Sequence, residues 1–198
     1  MYQIIHERPE DAAKIDPLLE LCFGPDRFEK TAYKIRKNLN PISQLSLVAI
    51  EGDTLHATIR YWPLVIGEVF SALLLGPIAV SPNKQGEGIG IALIEESLSL
   101  AKEMGHKAVI LVGDPDYYKR FGFTNAFDKG LILPGPVEDH RFLVHELVES
   151  SLSGVSGMIA GGDLPFIHSG VCATEEETAG LVGSLSSFLP PSEAQKSQ

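Results

Sequence analysis

The 198-residue chain carries 16 Lys and Arg against 26 Asp and Glu, a formal net charge of -10 at pH 7, and is 44% hydrophobic. That length suits one domain with a sizeable core, and the apolar fraction excludes disorder for the bulk of the sequence. The acidic balance argues against nucleic acid as the main partner, because phosphate binding relies on clustered Lys and Arg; it mildly favours a cationic substrate and chiefly reports solubility.

Met1 to Glu7 lacks the basic-then-apolar layout of a signal peptide. No stretch reaches the roughly 18 uninterrupted apolar residues of a membrane span, so a cytoplasmic protein without a membrane partner is expected. Residues 2–7 read as an opening strand. Pro9-Glu10-Asp11 starts a helix in which Ile15, Leu18, Leu19 and Cys22 recur at helical spacing, and Gly24-Pro25 ends it. Cys22 and Cys172 have no metal or redox spacing and read as free or packed thiols. Residues 26–39, rich in Lys and Arg and closed by Asn40-Pro41, read as a second helix. Two β-rich runs follow, 45–51 and 54–65, joined by a hairpin turn at Gly52-Asp53.

A third apolar run, 72–80, enters the segment Ser81-Pro82-Asn83-Lys84-Gln85-Gly86-Glu87-Gly88-Ile89-Gly90, which opens directly into a helix. Glycines let the backbone turn tightly and approach a ligand, and the first N–H groups of a helix have no partner within it. With the positive end of the helix dipole they form a cradle for phosphate or pyrophosphate. Two familiar nucleotide patterns do not fit. A Walker A loop needs Lys-Ser or Lys-Thr after its last glycine, where this chain has Ile91-Ala92, and the dinucleotide fingerprint spaces its glycines as G-x-G-x-x-G rather than G-x-G-x-G. The helix that follows places Ile91, Ile94, Leu98 and Ala101 on one face, a stripe suited to packing on a sheet. Gly105-His106 ends it, and a strand over 108–112 follows at a distance that permits a parallel βαβ crossover.

Asp114-Pro115-Asp116-Tyr117-Tyr118-Lys119-Arg120-Phe121-Gly122-Phe123 begins just after that strand. The order of strand, Gln85-x-x-Gly88-x-Gly90, amphipathic helix, strand and short helix with Tyr-x-x-Phe-Gly-Phe resembles the GNAT superfamily of N-acetyltransferases. The wording is nearest its YhbS-like branch of small bacterial proteins, and the specific likeness covers residues 71–123. The resemblance implies an α/β fold with a mixed α+β sheet, the GNAT acyl-CoA N-acyltransferase fold, and acetyl-CoA as co-substrate without a metal. It implies that the pyrophosphate lies on the backbone of Gln85, Gly86, Glu87, Gly88, Ile89 and Gly90. The pantetheine arm lies where neighbouring strands part, hydrogen-bonded by the backbone of Ile78, Ala79 and Val80 like an added strand. Tyr118 is then the candidate general acid for the departing thiolate, since a tyrosine of ordinary pKa about 10 is protonated at neutral pH. Tyr117 and Asp114 become candidate cofactor contacts, with capping of the short helix the competing role for Asp114. Residues 26–39 would form one wall of the acceptor site. No general base is legible: 73–80 carries no acid, Glu68 lies upstream, and His56 and His145 read as structural.

Runs at 131–133 and 141–148 read as strands that finish the sheet, and 151–162 as loop with one short strand. Thr174-Glu175-Glu176-Glu177 is a capping box ahead of an apolar stripe at Leu181, Val182, Leu185 and Phe188. It predicts a terminal helix docked on the body or on a second copy in a homodimer, stopped by Pro190-Pro191. The expected division is therefore a GNAT domain over 1–150, a helical C-terminal extension over 151–191 and a flexible tail over 192–198. The function expected is transfer of acetyl from acetyl-CoA to a primary amine, of a small molecule or a peptide, by direct attack in a ternary complex. Acetylation of a protein N-terminus or lysine, and a non-catalytic acyl-CoA-binding domain, are the alternatives.

Overall fold

The computed structural model describes residues 2–162. The predicted C-terminal helix, its proline stop, the tail and Cys172 lie outside the described residues.

Near-continuous apolar runs, buried on both faces, set the central strands of one large sheet. Its strands are β1 (Gln3–His6), β2 (Leu47–Glu51), β3 (Thr54–Ile66), β4 (Phe70–Val80), β5 (Ala108–Val112), β6 (Thr124–Asn125) and β8 (Phe142–Glu146), in the order β1-β2-β3-β4-β5-β8-β6. Two further strands, β7 (Leu131–Ile132) and β9 (Gly157–Gly161), pair with each other in parallel, and β9 also pairs with β3. Strand β2 stops opposite Ile59, and β9 takes up the same edge of β3 from Leu64 to Ile66. Residues 151–162 are thereby tied into the sheet, so the body extends past the boundary expected at 150.

Helix α3 (Ile89–Glu103) lies on one face of the sheet over Leu47, Ile59, Tyr61, Leu73 and Val109, and α1 (Ala12–Phe23) lies on the other over Val48 and Ala79. The buried stripe of α1 is the predicted Ile15, Leu18 and Leu19. That of α3 is rotated from the prediction: Ile89 and Leu93 are buried with Ile94, Leu98 and Ala101, while Ile91 is only half-buried. Ser97 falls inside this stripe and remains there because its hydroxyl meets that of Tyr61 at 2.8 Å.

The predicted helix over 26–39 is not continuous. A 3-10 turn over Pro25–Glu29 is followed by extended backbone at Lys30 and the short helix α2 (Thr31–Ile35). Tertiary hydrogen bonds outweigh the helix periodicity here. Arg27 is turned back onto Glu20 and the Gly24 carbonyl, and the Thr31 hydroxyl donates to the Pro136 carbonyl at 2.9 Å.

Candidate active site

Strands β4 and β5 are parallel neighbours, yet their pairing is confined to Leu73–Val109 and Leu74–Ile110. Beyond Leu74 they part. The cause lies within β4, where Gly76 and Pro77 together face the single residue Arg60 of β3, since Ile78 pairs with Ile59 and Leu75 with Tyr61. Such a bulge bends the strand and resets its alternation. Before it, Leu73 and Leu75 face α3; after it Ile78 and Val80 do so, and Ala79 faces α1.

The Ser81 amide donates to the His56 carbonyl at 2.8 Å. By antiparallel alternation this makes Ala79 and Thr58 the next exchanging pair, so the backbone of Ala79 is committed to β3. Ile78 and Val80 face the gap instead. The Val80 carbonyl accepts from the Gln85 amide at 3.2 Å and from the Cys22 thiol at 3.5 Å, which leaves the Ile78 backbone and the Val80 N–H on the open edge. Of the three β4 residues expected to pair with a pantetheine arm, the geometry thus excludes Ala79 on its backbone direction.

The glycine loop forms as the letters imply. Gly86 and Gly88 have φ of +84° and +83°, values that side chains rarely adopt, and no atom stands within 4 Å of a Cβ built on either. Gly88 is the N-cap of α3, and no side chain caps the helix. The first amides of α3 are therefore directed outward without a partner in the helix. Ile89 serves only through its backbone, for its side chain is buried, and Glu87 is held by Lys84 at 3.3 Å. Gln85 ties the loop to the end of β4.

Asp114 caps the single turn α4 (Pro115–Tyr118), accepting from the Asp116 amide at 2.9 Å. That turn presents its two tyrosines to different places. The Tyr117 hydroxyl reaches the start of α3, 3.2 Å from a Cβ built on Gly90, and its ring meets Tyr118 edge-on at 5.1 Å. Tyr118 is 8% exposed and lies against Gly113, where a Cβ would stand 2.3 Å from its ring. With Ile78, Asp114 and Pro77 it lines a cleft of about 500 Å³ in the gap between β4 and β5. Burial raises the pKa of both phenols, the neighbouring Tyr117 adding to the rise at Tyr118 and Arg120 opposing it at Tyr117. No hydrogen bond joins the Tyr118 hydroxyl to another described residue, so its proton is not committed within the protein.

The structure thus sorts the predicted residues into two adjoining groups. Gln85 to Gly90 and Tyr117 gather at the head of α3; Ile78, Asp114 and Tyr118 line the cleft. Glu68 sits in the β3–β4 turn at the opposite end of β4. His145 holds the Gly122 carbonyl at 3.1 Å and His56 stands 3.6 Å from Glu51, both away from the cleft lining. Sequence reasoning singled out none of Arg36, Tyr33 and Trp62: Arg36 and Tyr33 line the far side of the cleft and, with Trp62, a second hollow of about 560 Å³ adjoining it. The signals for the first two were the basic character of 26–39 and the resemblance, which gave that segment as one wall of the acceptor site.

The Acetyltransferase (GNAT) domain profile matches residues 4–126. The chain belongs to the GNAT acetyltransferase family. It is 34% identical over 156 residues to the uncharacterized N-acetyltransferase YhbS of Escherichia coli K12, spanning 77% of this chain and 92% of that protein. To YjhQ of the same organism, also named an uncharacterized N-acetyltransferase, it is 40% identical over 136 residues, 66% of this chain and 75% of that one. The crystal structure of E. coli YhbS in complex with CoA superposes with a TM-score of 0.71 at 32% identity, covering 81% of this chain and 89% of the other. A GNAT family acetyltransferase from Brucella melitensis in complex with acetyl-CoA does so with a TM-score of 0.53 at 31% identity, covering 73% and 96%. The GNAT fold accounts for the mixed sheet with parting strands and for the glycine loop at the head of α3. No helix among the described residues is long and apolar enough to cross a membrane, and no group of three or more acids, histidines or cysteines there is placed to hold a metal.

Proposed function

We propose that this GNAT protein is an acetyl-CoA-dependent N-acetyltransferase that moves the acetyl group to a primary amine by direct attack in a ternary complex. The observation that carries this reading is the placement of an uncommitted, protonated Tyr118 in the gap between β4 and β5. The relatives whose structures hold CoA and acetyl-CoA support the choice of donor. The cradle at Gln85 to Gly90 suits the pyrophosphate, and the Ile78 backbone and Val80 N–H suit the amides of the pantetheine arm. A thioester laid along β4 then points into the cleft beside Tyr118.

Three proton movements accompany the transfer. The acceptor ammonium must lose a proton before its nitrogen lone pair can attack the thioester carbonyl, and the open cleft gives that proton a route to water. Collapse of the tetrahedral intermediate breaks the C–S bond, the leaving thiolate takes the phenolic proton of Tyr118, and the second proton shed by the acceptor nitrogen restores the phenol through solvent. A raised pKa suits that role, because the phenol is fully protonated at neutral pH and remains so above the ordinary tyrosine range.

The test is the pair Tyr118→Phe and Tyr117→Phe. Loss of a general acid lowers turnover by about 10² to 10⁴, so Tyr118→Phe should reduce kcat by that order with acetyl-CoA affinity nearly intact, and Tyr117→Phe should cost much less. In the wild type the rate should climb with pH as the acceptor amine deprotonates. No loss from phenol ionisation should set in before pH ~10, since the folded-state pKa is raised and not lowered. Equal, small losses in the two variants would remove Tyr118 from the chemistry and leave it as a wall of the cleft.

A further inference from the structure

Arg36 follows α2 and is nine-tenths buried, lining both the cleft that holds Tyr118 and the hollow beside it. The other arginines that line the hollow are already neutralised. Arg60 makes two hydrogen bonds to Glu7, at 2.7 and 2.6 Å, and Arg27 pairs with Glu20. Arg36 makes no ion pair with any described residue, and its Nε and Nη1 are sealed from solvent without a hydrogen-bond partner. The buried Tyr33 hydroxyl interacts with the guanidinium and has no other hydrogen-bond partner among the described residues.

The guanidinium is held in place by rings, 4.8 Å from the centre of Tyr33 and 6.0 Å from that of Trp62. The chain makes room for it at Gly76, where a Cβ would come within 2.8 Å of Nη2. Cation–π contacts offset part of the cost of burying a charge, but they leave its N–H donors unmet. A buried cation whose Nη2 alone is not sealed, at the lining of a cavity of ligand size, is the complement of an anion. Through Nη2 the planar fork can donate a charge-assisted hydrogen bond to a carboxylate.

We propose that Arg36 binds the carboxylate of the small molecule that occupies this cleft, so that the acceptor is an amino acid or a similar amine bearing a carboxylate. The apolar and aromatic surroundings of Leu19, Phe28, Tyr33 and Trp62 suit an acceptor with an apolar side chain. Because Arg36 and Tyr118 line the same cleft, a carboxylate held at the first places the rest of a short acceptor toward the second. The assignment of this carboxylate to an acceptor rests on the acetyl-transfer reading above.

The experiment has a binding arm and a turnover arm. Trp62 is the single tryptophan of the chain and stands next to Arg36, so its fluorescence reports occupancy directly. Titration with 3-phenylpropionate should give a saturable change that 3-phenylpropionamide does not, and the change should vanish in Arg36→Met and weaken in Arg36→Lys, which keeps the charge without the fork. In turnover, kcat/KM for phenylalanine should exceed that for phenylalaninamide by about 10- to 100-fold, the size expected of hydrogen bonds to a charged group. Arg36→Met should bring that ratio to about one, chiefly by raising KM for phenylalanine. Arg36-dependent carboxylate binding without transfer to any amine would sink the acetyl-transfer reading and leave the anion site standing. Transfer to both acceptors alike, unchanged in Arg36→Met and Arg36→Lys, overturns the proposal with the enzyme intact. Equally, saturation by inorganic phosphate that displaces 3-phenylpropionate overturns the carboxylate assignment.

Discussion

Tyr118 owes its position to the residue beside which it packs. Gly113 continues β5, its amide donating to the Arg141 carbonyl at 2.9 Å, and the Tyr118 ring occupies the space where any other residue would carry a Cβ. Gly113→Ala puts that carbon 2.3 Å from Cε2, so the ring must move. Overpacking of this kind costs about 1–3 kcal/mol, and here it also displaces the proposed proton donor. The expected outcome is a lowered Tm together with a fall in kcat that the stability loss alone does not explain, measured at a temperature where the variant is fully folded. A variant with a lowered Tm and unchanged kcat would show that the position of the Tyr118 ring does not limit the rate. At this scale legibility was uneven. The candidate Tyr118 was legible because its motif is local in sequence, and the cap at Asp114 because an acid at the N-cap accepts from the amides of the turn that follows. Arg36 was not found, because its chemistry comes from burial against β3 and Gly76, and a continuous helix over 26–39 would have left it among the solvated cations of a basic face.

The glycine loop and the bulged strand are the two elements that build the site, and they differ in how openly the sequence declares them. Gly86 and Gly88 announce a turn with positive φ before a helix, and that is what forms. Gly76-Pro77 sits inside an apolar run that reads as an uninterrupted strand. The two-against-one pairing opposite Arg60 depends on register with β3, which is a property of the pair and not of either strand. The same limit explains α3, where periodicity gave the helix but not its rotation, since the buried Ser97 satisfied by Tyr61 shifts the stripe toward Leu93. The cradle itself is testable without damage to the helix. Asn tolerates the left-handed backbone of Gly88 far better than a branched residue does, and no protein atom obstructs its Cβ. Gly88→Asn should therefore keep the far-UV circular dichroism, while its side chain stands over the first amides of α3. Calorimetry should show acetyl-CoA binding weakened by about 10-fold or more, that is ~1.4 kcal/mol. Unchanged affinity in the folded variant would show that the cofactor does not use this loop.

Across the whole molecule, β3 is the strand that joins the halves, paired with β4 along most of its length, with β2 at one end of its free edge and with β9 at the other. Residues 151–162 were expected to begin an extension because they are rich in glycine and serine and their apolar alternation is short. The strand there is set by long-range pairing, which no local window records. Ile159 is its anchor. It is fully buried opposite Ile66, among Leu64, Leu131 and Phe142, whereas Met158 next to it is 50% exposed. Truncating a buried isoleucine to alanine costs about 2–5 kcal/mol, and an exposed position away from special features is worth no more than about 0.5 kcal/mol. In the full chain, Ile159→Ala should accordingly lower Tm by several degrees and reduce the denaturant midpoint, with Met158→Ala close to the wild type. Because β9 edges β3 on the far side from β4, acetyl-CoA affinity measured well below the midpoint should be unaffected in both. If Ile159→Ala leaves the midpoint where it was, the strand is an appendage and the folded body ends near 150.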